Sequence, residues 1–142
     1  MKTKEKEILS YLREGVVNIS KIARELQLPV STVSDRIKRL ETKYVLKRSS
    51  LLDYSKVGCH SNSILVIKVE STNKKAFFDF LKKQKCVNSL YRTNSNFDFL
   101  VEVVFKKNID LYKWIEVTQD KYLVAITEYP ILSVELKERF VP

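Results

Sequence analysis

Ser31, Thr32, Ser34, Asp35, Lys38 and Arg39 fall on one side of a helix if the stretch after Pro29 is helical, with Arg36 at its margin. The N-terminal end of that side is small and hydroxylic, and its C-terminal end is basic. Short polar side chains let a helix backbone approach base edges, while Lys and Arg reach phosphates, so the pattern suits a helix lying in the major groove of duplex DNA. The competing reading is an ordinary helical pair with a solvated basic face. Little else in the chain carries chemistry. There are no carboxylates at convincing paired spacing, no Gly-rich phosphate loop and no Ser/His/Asp set. His60 is the single histidine and is read as a surface or junction residue. Cys59, His60 and Cys86 are too scattered for a zinc motif. No metal and no cofactor are expected.

The elements that would hold this face read as two short helices joined at a corner. Ile19, Ile22, Ala23 and Leu26 recur at helical spacing behind Asn18, a suitable N-cap. Leu28-Pro29 breaks the pattern, because Pro lacks an N–H and pushes the residue before it out of the α region. The second helix restarts with Val33, Ile37 and Leu40 facing inward. A first helix over Thr3–Arg13 carries Ile8, Leu9 and Leu12 inward with Tyr11 flanking, Thr3 as cap and Glu14-Gly15 as its end. Eleven or so residues make a marginal helix alone, so the three pack as one core. Val45–Leu52 reads as extended. Its Lys47 and Arg48 either touch a neighbouring phosphate or lie in a solvated linker.

The second half changes period. Asn62–Glu70 is a strand, Lys74–Lys83 a helix with Phe77, Phe78 and Leu81 inward, and Val87–Arg92 a short strand. Phe97–Phe105 is a half-buried strand, and Asp110–Gln119 a helix with Leu111, Trp114, Ile115 and Thr118 on one side. Leu123–Leu136 is extended and interrupted by Pro130, which marks an edge strand or a bulge. The expected fold class is α+β: a helix-turn-helix domain over residues 1–53, a connection over 54–61, and a ferredoxin-like βαββαβ domain over 62–142. Two helices cover only one face of such a sheet, and dimerisation is the economical way to bury the other.

Net charge supports a polyanionic partner for the first half. Of the formal +9, residues 1–60 contribute +6 and residues 61–142 contribute +3. General basicity is the plainer alternative, since 19 of the 26 bases are Lys. No apolar run approaches the roughly 20 residues of a membrane span, and Glu5 and Glu7 interrupt any signal-peptide core, so a cytoplasmic protein with free thiols is expected.

A helix-turn-helix followed by a βαββαβ domain resembles the Lrp/AsnC, or feast/famine, family of regulators over nearly the whole chain, and in the first half Ile22-Ala23, Leu26, Leu28, then Ser31-Thr32-Val33, Arg36-Ile37 and Arg39-Leu40-Glu41 match that family's pattern. A weaker match is Ser95-Asn96-Phe97-Asp98, where the family has a loop of Gly, any residue, aromatic and Asp before the third strand. The resemblance implies a transcriptional regulator whose first half binds DNA and whose second half forms homodimers, tetramers or octamers. It implies that Val45–Leu52 pairs with its mate in the dimer. It also implies a small-molecule effector such as an amino acid, for which Asn94, Ser95, Asn96 and Asp98 are the contact candidates. Three positions depart from the family. Tyr44 stands where Gly usually follows the recognition helix, Pro29 where Ser or Thr often opens it, and Ser95 replaces the loop Gly. Two other functions remain open: a DNA-coating architectural protein, and a tetrapyrrole decarboxylase such as some relatives of the family, for which His60, Arg92 and Arg139 would be the only suitable side chains.

Overall fold

The computed structural model describes residues 1–141; Pro142, the last residue of the expected second domain, lies outside them. The chain forms two compact units, Met1–Leu51 together with residues 134–141, and Leu52–Ser133.

The first unit is built from α1 (Thr3–Arg13), α2 (Ile19–Leu26) and α3 (Val30–Tyr44). Ile8 and Leu9 of α1, Ile22, Ala23 and Leu26 of α2, and Val33, Ile37 and Leu40 of α3 make one buried cluster. These are the apolar positions at helical spacing, so the three inner stripes meet as expected. The start of α1 differs from expectation. Lys2, not Thr3, is the N-cap, because the Glu5 carboxylate reaches back to accept the Lys2 backbone N–H at 2.9 Å. The far end follows the Schellman pattern through Gly15 at φ +76°, with the Val16 N–H donating to the Tyr11 carbonyl at 2.9 Å. Asn18 caps α2 by accepting the Lys21 N–H at 3.0 Å. Residues 134–141 return to this unit, where Arg13 Nε donates to the Phe140 carbonyl at 2.9 Å and Nη1 lies 3.2 Å from the Glu138 carboxylate.

The second unit holds β1 (Ser61–Val69), a 3-10 turn (Ser71–Asn73), α4 (Lys74–Lys83), β2 (Val87–Arg92), β3 (Phe99–Phe105), α5 (Asn108–Tyr122) and β4 (Val124–Pro130). The sheet is antiparallel in the order β2-β3-β1-β4, the ferredoxin-like arrangement. Leu65, Ile67, Phe99, Val101 and Val103 face the helices and pack on Phe77, Leu81 and Leu111. Their ladder neighbours Ile64, Val66 and Leu100 lie on the opposite, helix-free face. β4 is an edge strand that ends at Pro130, as the missing N–H requires.

The differences from the expected boundaries have tertiary causes. Helix α5 runs one turn past Gln119 because Tyr122 packs its ring on Phe80 and Phe77, with centroids 4.7 and 5.3 Å apart. Strand β3 starts at Phe99 rather than Phe97, since the Asp98 side chain turns to accept the Val69 N–H at 2.7 Å. The extended stretch after Leu123 stops at Pro130 instead of Leu136. Val45–Leu52 contributes no strand among the described residues. Val45 itself is extended, and Leu46, Leu51 and Leu52 are exposed.

Two stability outcomes follow. Gln27 sits left-handed at φ 52° at the end of α2, a conformation that costs a side-chain-bearing residue about 1–2 kcal/mol. Gln27→Gly is expected to raise the urea midpoint by the equivalent of about 0.5–1 kcal/mol after the extra backbone entropy of Gly. Phe77, fully buried, is expected to cost about 3–5 kcal/mol on Phe77→Ala in the same assay.

Candidate nucleic-acid interface

Helix α3 is presented by what precedes it. Gln27 turns the chain out of α2, and the Leu28 N–H closes that turn on the Ala23 carbonyl at 2.9 Å. Pro29 then serves as N-cap with φ −58°, and its carbonyl accepts the Val33 N–H at 3.1 Å. No side chain caps this end. First-turn N–H groups without an intrahelical partner give a helix N-terminus its affinity for anions.

Along α3, burial of Val33, Ile37 and Leu40 forces the remaining side chains outward. Ser31, Asp35, Lys38 and Arg39 are exposed, while Thr32, Ser34 and Arg36 are half-buried at the margins. The seven α3 positions expected from the sequence therefore form one surface, with the hydroxyls first and the bases last. Lys47 is exposed. Arg48 pairs instead with the Glu41 carboxylate on the last turns of α3, which ties the segment after the helix back to it. Tyr44 does not plug the core. It is 45% exposed and still helical, and α3 ends in an extended Val45 with no left-handed residue. The sequence pattern missed two bases near this surface. Lys2, from the start of α1, and Lys43 share a cleft with Arg39.

In the second unit, Asn94, Ser95 and Asn96 are exposed on the loop between β2 and β3. Asp98 is occupied within the fold. One carboxylate oxygen accepts the Val69 N–H and the other lies 2.9 Å from Lys74 Nζ, while the Asp98 N–H donates to the Ile67 carbonyl at 2.9 Å. Thr93 Oγ1 donates to the Phe97 carbonyl at 2.6 Å, so the loop is closed on itself. Burial alone would raise the Asp98 carboxyl, but the Lys74 ammonium and the Val69 N–H outweigh it and hold it below the usual carboxylate range.

The residues that a catalytic or metal reading would need are placed otherwise. His60 is exposed, and its backbone N–H donates to the Lys106 carbonyl at 3.1 Å. Arg92 lies over the Phe78 ring at 5.6 Å. Burial pushes the Cys86 thiol up to about 11, so it is protonated near neutral pH. Among the described residues no three His, Cys, Asp or Glu side chains are grouped to hold a metal, and no helix is long and apolar enough to cross a membrane.

Residues 1–43 match the winged helix-turn-helix DNA-binding family. An uncharacterised HTH-type transcriptional regulator of Pyrococcus abyssi is 27% identical over 114 residues, covering 79% of this chain and 78% of the relative. An AsnC family transcriptional regulator from Agrobacterium tumefaciens superposes with TM-score 0.86 at 20% identity, over 100% of this chain and 97% of that one. The chain is a helix-turn-helix protein with the Lrp/AsnC fold. A transcriptional regulator from Neisseria meningitidis, solved with L-Met, has TM-score 0.86 at 18% identity over 96% of this chain and 92% of its own. The expected order of a three-helix unit followed by βαββαβ is therefore met by the structure and by its neighbours alike.

The Asp98 contacts have a pH signature. Because its folded-state value lies below the unfolded one, of about 3.9, the stabilisation is complete above that pH and disappears as the pH falls through the folded value. Asp98→Asn keeps an acceptor for Val69 and loses the charge pair with the half-exposed Lys74. It is expected to cost about 1–2 kcal/mol at pH 7, with the wild-type advantage shrinking steadily below about pH 4 in urea titrations.

Proposed function

We infer that this chain is a sequence-specific DNA-binding transcriptional regulator, not an enzyme, acting as a dimer or higher oligomer. The observation that carries the reading is the outward face of α3: uncapped N–H groups and Ser31, Thr32 and Ser34 at one end, Arg36, Lys38 and Arg39 at the other, on a unit that matches the winged helix-turn-helix family. In this reading the hydroxyls and Asp35 meet base edges, and the bases, with Lys47, meet phosphates. Arg48 contributes by holding the following segment against Glu41 rather than as a free cation.

Association is supported by the helix-free face of the sheet, where Ile64, Val66 and Leu100 lie side by side, and by the exposed Leu46, Leu51 and Leu52. A second copy of the chain, pairing two-fold through such surfaces, buries both and makes the DNA site approximately palindromic. A small metabolite such as an amino acid is the proposed effector. The L-Met bound to the Neisseria meningitidis neighbour supports it. Asn94, Ser95 and Asn96 are the contact candidates, on a loop that Asp98 sets in place.

The test is footprinting on the DNA upstream of the chain's own gene with excess random competitor. A protected, near-palindromic site is expected. Protection that competitor removes in proportion would favour an architectural DNA-coating protein instead. Lys38→Ala combined with Arg39→Ala is expected to weaken operator binding by about 10- to 100-fold, with the circular dichroism spectrum unchanged. Wild-type affinity in that variant across a salt series would refute the assignment of α3.

A further inference from the structure

The first unit carries a cleft of about 370 Å3 between the start of α1 and the last turns of α3. Lys2, Arg39 and Lys43 line it, with Glu5, Tyr44 and the buried Leu40. Three cationic side chains thus share one concave surface with a single carboxylate and with Met1, whose ammonium also acts on that carboxylate. That carboxylate is already engaged, since Glu5 accepts the Lys2 N–H. The Glu5 carboxyl is held below its usual range by that N–H first, and also by the N-terminal ammonium and the Lys2 and Arg39 charges.

One wall of the cleft is the end of α3, which continues as helix through Tyr44. The Lys43 ammonium lies 5.2 Å from the Tyr44 ring centroid, a cation–π contact that restrains a side chain otherwise free to sweep through solvent. A 15-residue helix is about 22 Å long. The major groove is about 12 Å wide. With the Ser31 end against base edges, a helix of this length is long enough to carry its Lys43 end past the groove edge to the sugar-phosphate backbone.

We propose that Lys2, Arg39 and Lys43 form a clamp for a DNA backbone phosphate at the edge of the groove that α3 enters. The clamp rests on the DNA-binding reading and adds a site to it. It supplies register and affinity but no sequence discrimination, because phosphates are alike at every base pair.

The experiment measures binding of the full chain to its footprinted operator duplex and to a random duplex over a salt series, for wild type, Lys43→Ala and Lys43→Arg. Lys113→Ala, an exposed base on α5, controls for the loss of one positive charge. For Lys43→Ala the expected result is an equal loss on both duplexes, about 3- to 10-fold at 0.1 M salt, with the log–log salt slope smaller in magnitude by about 0.9. Lys43→Arg is expected to restore the slope, and Lys113→Ala to leave it alone. An unchanged slope in Lys43→Ala, or a loss confined to the operator, overturns the clamp while leaving the regulator reading intact. Wild type that binds neither duplex overturns the regulator reading itself. Inorganic phosphate alone is titrated against the Lys43 and Tyr44 amide resonances. Sub-millimolar saturation there, with an unchanged DNA slope, assigns the cleft to a diffusible anion and likewise overturns the clamp.

Discussion

Burial of Val33, Ile37 and Leu40 beneath α3 is the constraint on which the candidate interface depends. Each such side chain contributes about 1.5–3 kcal/mol when taken out of water. The exposed polar side chains of the same helix contribute far less, so the interface is oriented by the opposite side of its own helix. Rotating α3 by one residue, about 100°, would bury Ser34 or Lys38 and expose Val33. The partners Ile8, Ile22 and Leu26 come from both preceding helices, and Asn18, Gln27 and Pro29 place the corners between them. The outward surface of α3 is therefore a consequence of a small apolar core, and its polar residues are free to vary in chemistry without unfolding it.

The corners themselves show how a chain with two glycines manages turns. Gly15 and Gly58 both adopt positive φ, where they are needed, but Gln27, Leu123 and Glu138 adopt it as well. Packing next to each strained residue offsets the strain. Leu28 folds onto the first core while its N–H closes the turn on Ala23. Tyr122, immediately before Leu123, packs its ring against both Phe77 and Phe80. Glu138 is held by Arg13. At Leu123 and Glu138 the stabilising contact is distant in sequence, and at Gln27 it is the adjacent turn together with the core beneath it.

The second unit follows the same logic around Asp98. Its carboxylate links three separate elements, the loop that carries it, the end of β1 at Val69 and the start of α4 at Lys74. The loop bearing Asn94, Ser95 and Asn96 is thereby fixed to the rigid part of the sheet while those three side chains stay exposed. On the helix-free face, a register shift between Val87 and Ser89 accompanies an Asn88 amide donating to Glu102, a buried carboxylate on that side of β3. A polar group among Ile64, Val66 and Leu100 gives that surface a directional feature as well as an apolar one.

Local pattern alone determined the extents of α1, α4 and β2 and the inward positions of all five helices, and it narrowed the strand with Pro130 to an edge or a bulge. These rest on local rules: a 3.6-residue repeat, a 2-residue repeat and a missing N–H. The same repeat assigned Ser31, Thr32, Ser34, Asp35, Arg36, Lys38 and Arg39 to one side of α3, since an inner stripe leaves only one outer face. Tertiary structure decided what a local rule cannot reach. It brought Lys2 to Lys43, gave Asp98 its partners, extended α5 to Tyr122, paired Arg48 with Glu41 and returned residues 134–141 to α1. Each of these joins residues whose meeting depends on how helices and strands pack, and no spacing within one element encodes that.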